Sequence, residues 1–135
     1  MATARRLRVV VNSLELFIEG IIKKLTLDIV ANLDRAPTEG GTPVDTGWAR
    51  ANWIPQIGTP VTQPAGSRTN VSDSEKEAGK AAVVAKYKLP ATVYISNNVP
   101  YILKLNEGHS KQAPPGFIQA NIAKAVTADL AGIGG

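Results

Sequence analysis

The chain has 135 residues, 44% of them hydrophobic, and a formal charge of +4 from 15 basic and 11 acidic residues. That composition suits one domain with one core and excludes a wholly disordered chain. It has no cysteine, which excludes a disulfide framework and thiolate metal sites.

The basic residues are spread along the chain, with one small cluster at Arg5, Arg6 and Arg8. A dedicated DNA binder concentrates its charge in one stripe. The surplus therefore reads as a solvated surface, or as a basic lining or arm facing DNA or an acidic partner. The early arginines suggest a signal peptide, but Asn12, Glu15 and Glu19 interrupt any apolar core behind them. No uncharged apolar run reaches the length of about 18 residues that a membrane span needs. The expectation is a protein made and used in a cytoplasm, without membrane contact.

In chain order, the spacing predicts a first helix over Ser13–Asp34. Leu14, Phe17, Ile18, Ile21, Ile22, Leu25 and Ile29 recur at intervals of three and four, with Asn12 as N-cap and Glu15 answering it. Pro37 ends the helix. Gly20 weakens its interior and is a candidate for a close helix contact. Residues 1–12 form an arm, a strand or an extension of the helix, and Val9, Val10 and Val11 lean towards extended structure. Thr38–Thr46 is a loop. Trp48–Ile54 alternates as a strand, with Pro55 permitting only an edge strand or a strand end. Residues 56–71 form a long loop, and the Pro- and Gly-rich segments are expected to be mobile.

A second helix follows over Ser72–Lys86, with Ser72 and Glu75 as a capping box and a stripe of small residues, Ala78, Ala81, Ala82 and Ala85, able to lie against a sheet. Ala91–Ser96 is a strand with Val93 and Ile95 on one face. Asn97 and Asn98 turn the chain, and Pro100 opens a helical turn over Tyr101–Asn106 that Gly108 caps. Ser110–Gly116 is a loop. A last helix spans Phe117–Ala131 with Ile118, Ile122, Ala125 and Val126 buried, and residues 132–135 fray. The pattern is a single α+β domain over 1–135. A small antiparallel or mixed sheet is packed by a long N-terminal helix, a middle helix and a C-terminal helix, joined by long Pro/Gly-rich loops.

Little in the sequence points to chemistry. His109 is the only histidine, and no nucleophile elbow accompanies it. Gly79–Lys80 fails as a phosphate loop, because the first glycine position is Ser74 and Ala81 replaces the hydroxyl. Asp45 and Glu107 form a general acid–base pair only if the fold brings them together; Asp45 before Thr46 and Gly47 also suits a turn. Trp48 with Arg50 is a candidate stacking pair for nucleic acid, but one tryptophan in the core and one at a contact surface fits better. The reading is no enzyme, no cofactor and no metal.

Two stretches carry more specific information. One is Gly41-Thr42-Pro43-Val44-Asp45-Thr46-Gly47-Trp48-Ala49-Arg50-Ala51-Asn52-Trp53. The other is Val93-Tyr94-Ile95-Ser96-Asn97-Asn98-Val99-Pro100-Tyr101, continuing as Leu105-Asn106-Glu107-Gly108-His109-Ser110-Lys111-Gln112-Ala113-Pro114. In this order they resemble the paired signatures of the tail-component family of long-tailed double-stranded DNA phages, also called tail-completion, neck or head–tail joining proteins. The match covers about a third of the chain. It departs at Lys104 and Asn106, and at His109, where an aromatic is more usual.

The resemblance implies a non-enzymatic structural protein of the virion, assembled in the host cytoplasm and placed at the neck or tail end. It implies self-association, as a six-fold ring, and contact with the tail tube protein and head-completion or connector proteins. Genomic DNA would pass through the channel without sequence-specific contact. The motif positions it nominates for interfaces are Val44, Asp45, Thr46, Gly47, Trp48, Arg50, Asn52, Trp53, Asn97, Asn98, Pro100, Tyr101, Glu107, Gly108, Gln112 and Pro114. The competing reading is a DNA- or protein-binding module unrelated to phage assembly.

Overall fold

A computed structural model describes residues 2–44, 47–67 and 74–134. Asp45, Thr46 and the expected cap Ser72 lie outside the described residues, as do residues 68–71 of the long loop. Four helices, α1 (Ala2–Asp34), α2 (Ser74–Ala85), α3 (Ile102–Asn106) and α4 (Phe117–Gly134), accompany two strands, β1 (Ile54–Ile57) and β2 (Val93–Ser96). Short 3-10 turns occupy Pro37–Glu39 and Arg50–Asn52. This is the expected small α+β fold.

The first helix is longer than its apolar period predicts. It begins at Ala2, so Asn12 is an interior residue and not a cap, and Val9–Val11 are helical. Each valine costs only tenths of a kcal/mol against alanine, whereas extending an existing helix gains a hydrogen bond per residue. Its 33 residues span about 50 Å. Among the described residues nothing lies within 4 Å of a Cβ built on Gly20, so it marks no helix contact among them.

The end of α1 is closed by side chains from further along the chain. Thr42 Oγ1 donates to Leu33 O at 2.8 Å, and Arg50 Nε donates to Asp34 O at 2.6 Å and Arg35 O at 3.0 Å. These carbonyls have no partner within the helix, and a guanidinium there also complements the negative end of the helix dipole.

Of the strand expected over Trp48–Ile54, only Ile54 is extended into β1; Trp48–Trp53 is not a strand. Ala51 N–H donates to Gly47 O at 2.9 Å and Asn52 Nδ2 to Trp48 O at 2.7 Å, which winds the segment into a helical turn. The winding buries Ala49, Ala51, Asn52 and Trp53 together and aims Arg50 at α1. The strand starts only at Ile54. It pairs antiparallel with β2, Ile54 opposite Ser96, Pro55 opposite Ile95, Gln56 opposite Tyr94 and Ile57 opposite Val93. A two-stranded ribbon is marginal alone; α1 and α2 pack against this one.

The core joins Val30 and Leu33 of α1 to Ala49, Trp53, Val99, Ile102 and Phe117, with Ile95, Tyr101 and Leu105 at its margin. Along α2 the small-residue stripe is not the buried face: Ala81, Ala82 and Ala85 are exposed, and Lys80 and Val84 are buried. Lys80 Nζ meets Asp34 Oδ2 at 3.3 Å, which lets the lysine turn inward against the end of α1. Along α4, Ile122 is exposed, and Phe117, Asn121 and Ala125 form the buried row. Asn32 Nδ2 donates to Asn121 O at 3.3 Å, and Asn121 Nδ2 donates to Gly40 O and Phe117 O, both at 2.8 Å, so hydrogen bonding supplies part of the α1–α4 contact. Residues 132–134 continue α4, and Gly132 and Ile133 lie beside Phe17 along the α1–α4 groove; residue 135 of the expected tail lies outside the described residues.

Candidate functional site

The two signature stretches, some forty residues apart, fold against each other. Gln112 grips Val44 by both backbone groups: Val44 N–H donates to Gln112 Oε1 at 2.8 Å, and Gln112 Nε2 donates to Val44 O at 2.6 Å. Asn97 Nδ2 donates to Ala49 O at 2.8 Å, while Asn97 Oδ1 accepts from Val99 N–H at 3.1 Å and shapes the following turn. Trp48 meets Tyr101 edge to face, with ring centroids 5.8 Å apart and planes at 62°. A side-chain amide that copies a backbone ladder bond at both ends holds register as a strand would.

The loop after β1 is pinned to the same frame. Asn98 Nδ2 donates to Val61 O at 2.9 Å and Gln63 O at 2.6 Å, Val61 N–H donates to Ser96 Oγ at 3.2 Å, and Trp48 Nε1 donates to Gly66 O. Residues 58–67 thus lack regular structure, and Val61, Gln63 and Gly66 among them give backbone groups to bonds with the frame. Gly47 and Gly108 both take positive φ, 89° and 96°, at the bends that bring the stretches together. Glu107 is the C-cap of α3, and Gly108, the expected cap, follows it in the left-handed conformation.

The nominated positions divide by role. Trp53, Asn52, Gly47 and Arg50 are internal struts. Arg50 is engaged on the end of α1, so it is not the stacking partner of Trp48. Trp53 is the core tryptophan and Trp48 the half-buried one. Pro100, Glu107, Gln112 and Pro114 stand at the surface. A cleft of about 190 Å³ runs between the stretches, lined by Pro43, Val44, Tyr101, Leu105, His109, Ser110 and Gln112. Glu107 and His109 lie 3.7 Å apart and each is about two-thirds exposed, an open surface pair rather than an enclosed one. Among the described residues no three His, Asp or Glu side chains group as metal ligands, and no helix is long and apolar enough to cross a membrane. Sequence reasoning missed Thr42, Asn106 and Asn121. Asn106 Oδ1 accepts from Ile118 N–H at 2.9 Å and so caps α4; Asn106 precedes α4 by ten residues, so no local capping pattern reveals it.

A second feature is electrostatic. Lys24 Nζ bridges Asp28 at 2.6 Å and Asp129 at 3.0 Å, tying α1 to the end of α4. The Lys24 hydrogen bond holds the Asp129 carboxyl below its ordinary range, against an opposing effect of desolvation. Hydrogen bonds from Lys24 to Asp28 and then Asp129 raise the lysine. For Asp129, whose folded value is depressed, the stabilisation is present above the unfolded value and is lost as pH falls through the folded one. For Lys24, raised, it is present below the unfolded value and lost as pH rises through the folded one. Asp129→Asn should lower the thermal midpoint at neutral pH, and the gap to the parent should close as pH drops below the ordinary carboxylate range. A pH-independent gap would show that the bridge does not set it.

No family model, curated protein or solved structure matches this chain.

Proposed function

We propose that the chain is a non-enzymatic structural subunit that works by occupying a place between neighbouring protein copies. Within that class, the reading is a neck or tail-completion protein of a long-tailed phage, a ring subunit that finishes the tail tube and joins it to the head. One observation carries it: the two stretches that resemble that family converge into a single frame, through Val44–Gln112, Ala49–Asn97 and Trp48–Tyr101. Stretches alike by chance have no reason to meet through side-chain bonds. The frame presents the surface loops 58–67 and 110–115, the kind of segment that reaches adjacent subunits in an assembly. A ring closes by repeating one heterologous contact.

The test is negative-stain imaging of the purified chain, alone and with the tail-tube protein encoded near it. Rings of six-fold symmetry, or discs capping tube ends, are expected. Deletion of residues 58–67 should abolish them while the circular dichroism of the body persists. A chain that never rings, never binds tubes and lies among genes unrelated to capsid, portal or tail would overturn the reading.

A further inference from the structure

The N-terminal half of α1 overhangs the rest of the fold. Every side chain from Thr3 to Ile18 is exposed, including Leu7 at 64%, Leu14 at 54%, Leu16 at 68% and Phe17 at 56%. Phe17 borders Gly132 and Ile133 of α4; the other apolar side chains of this stretch stand exposed, and a helix this apolar marks an interaction surface. Its pattern is specific: Leu7, Val11, Leu14 and Ile18 follow one another at spacings of four, three and four, and Ile21 and Leu25 continue the row into the half-buried part of the helix. That is the seam of a two-helix coil.

The flanking residues fix its partner and direction. Arg8 and Glu15 occupy one flank of the seam, one heptad apart; Val10 and Phe17 occupy the other. An antiparallel pair sets like flank against like flank. Arg8 of each copy then faces Glu15 of the other, and Val10 faces Phe17. A parallel pair would instead set the charged flank against Val10 and Phe17, and bring the Arg5, Arg6 and Arg8 clusters of both copies side by side.

We propose that two copies of this chain pair through these half-helices, antiparallel, with Leu7 of each against Ile18 of the other and Val11 against Leu14. The apolar seam supplies the affinity and the two Arg8–Glu15 pairs select the orientation, since exposed ion pairs contribute little by themselves. The pair is isologous and closes on itself, so it is distinct from any head-to-tail ring contact. It does not rest on the phage reading and stands or falls separately.

The absence of native cysteine makes the geometry testable by cross-linking. An oxidised mixture of Leu7→Cys and Ile18→Cys full-length chains is expected to give the disulfide heterodimer as the main product, with little from Leu7→Cys alone. Cross-linking of Leu7→Cys to itself at the same rate would show a parallel pair and overturn the proposal. In sedimentation, the parent chain should run at twice the mass of Leu14→Asp under the same conditions, and Leu14→Asp should keep the parent's helical circular dichroism. Arg8→Glu should weaken pairing about tenfold, and the swap Arg8→Glu with Glu15→Arg should restore it. A parent chain that is monomeric into the millimolar range, or a swap that fails to restore pairing, would equally overturn it.

Discussion

Replacing Trp53 with alanine should cost about 3–5 kcal/mol of folding free energy, the range for truncating a buried aromatic. Trp53 is 4% exposed and packs among Val30, Leu33, Val99, Ile102 and Phe117. It also carries a relay: its Nε1 donates to Thr42 Oγ1 at 2.8 Å, and Thr42 Oγ1 donates to Leu33 O at 2.8 Å. One side chain thus connects the turn before β1, the loop after α1 and the helix end. Small domains are stable by only about 5–15 kcal/mol, so the loss is a large share of the total. The urea midpoint should fall sharply with an unchanged slope. Trp53→Phe, which keeps most of the apolar volume and removes the donor, should cost markedly less. If both variants cost the same, the hydrogen bond and not the packing dominates; if neither costs about 1 kcal/mol, the residue is not the core anchor described.

Gly41→Ala should be comparably severe, at about 3 kcal/mol or more, because the backbone has no room to relax. A Cβ at this position would sit 1.8 Å from Arg35 O and 2.5 Å from Arg35 C. Those are backbone atoms of the closed helix end, and the same carbonyl accepts from Arg50 Nε at 3.0 Å. Moving it away would break the cap that orients the first signature stretch. Gly20→Ala is the matched control: nothing among the described residues lies within 4 Å of the added carbon, and the helix interior should gain about 0.5–1 kcal/mol. Chemical denaturation of both variants distinguishes a glycine required by contact from one merely tolerated. A mild Gly41→Ala would mean that the loop after α1 is free to shift.

Local signals predicted the middle helix, the strand before Asn97, the short α3 with Gly108 behind it and the last helix. Each of these is specified within a few residues by period, turn chemistry or a glycine at positive φ. They failed where the deciding partner is distant. The alternation across Trp48–Ile54 is real in the sequence, but the segment winds into a turn because Arg50 must reach the carbonyls of α1 and Asn97 takes the carbonyl of Ala49. The alanines of α2 suggested the buried face, yet Lys80 occupies it because Asp34 lies opposite. Ile122 fits the apolar stripe of α4, and Asn121 takes the inner place because Asn32 and Gly40 offer partners.

The sequence alone determined the α+β class, the absence of disulfide and thiolate-metal chemistry, the order of the elements after the first loop, and the two signature stretches that motivate the phage reading. Tertiary structure decided which of their residues are struts and which reach the surface, joined the stretches through Gln112, Asn97 and Tyr101, and left the apolar side chains of the first half of α1 exposed. The reason is physical. Period and turn preference are properties of neighbouring residues, whereas a buried polar side chain is stable only where a distant group completes its hydrogen bond.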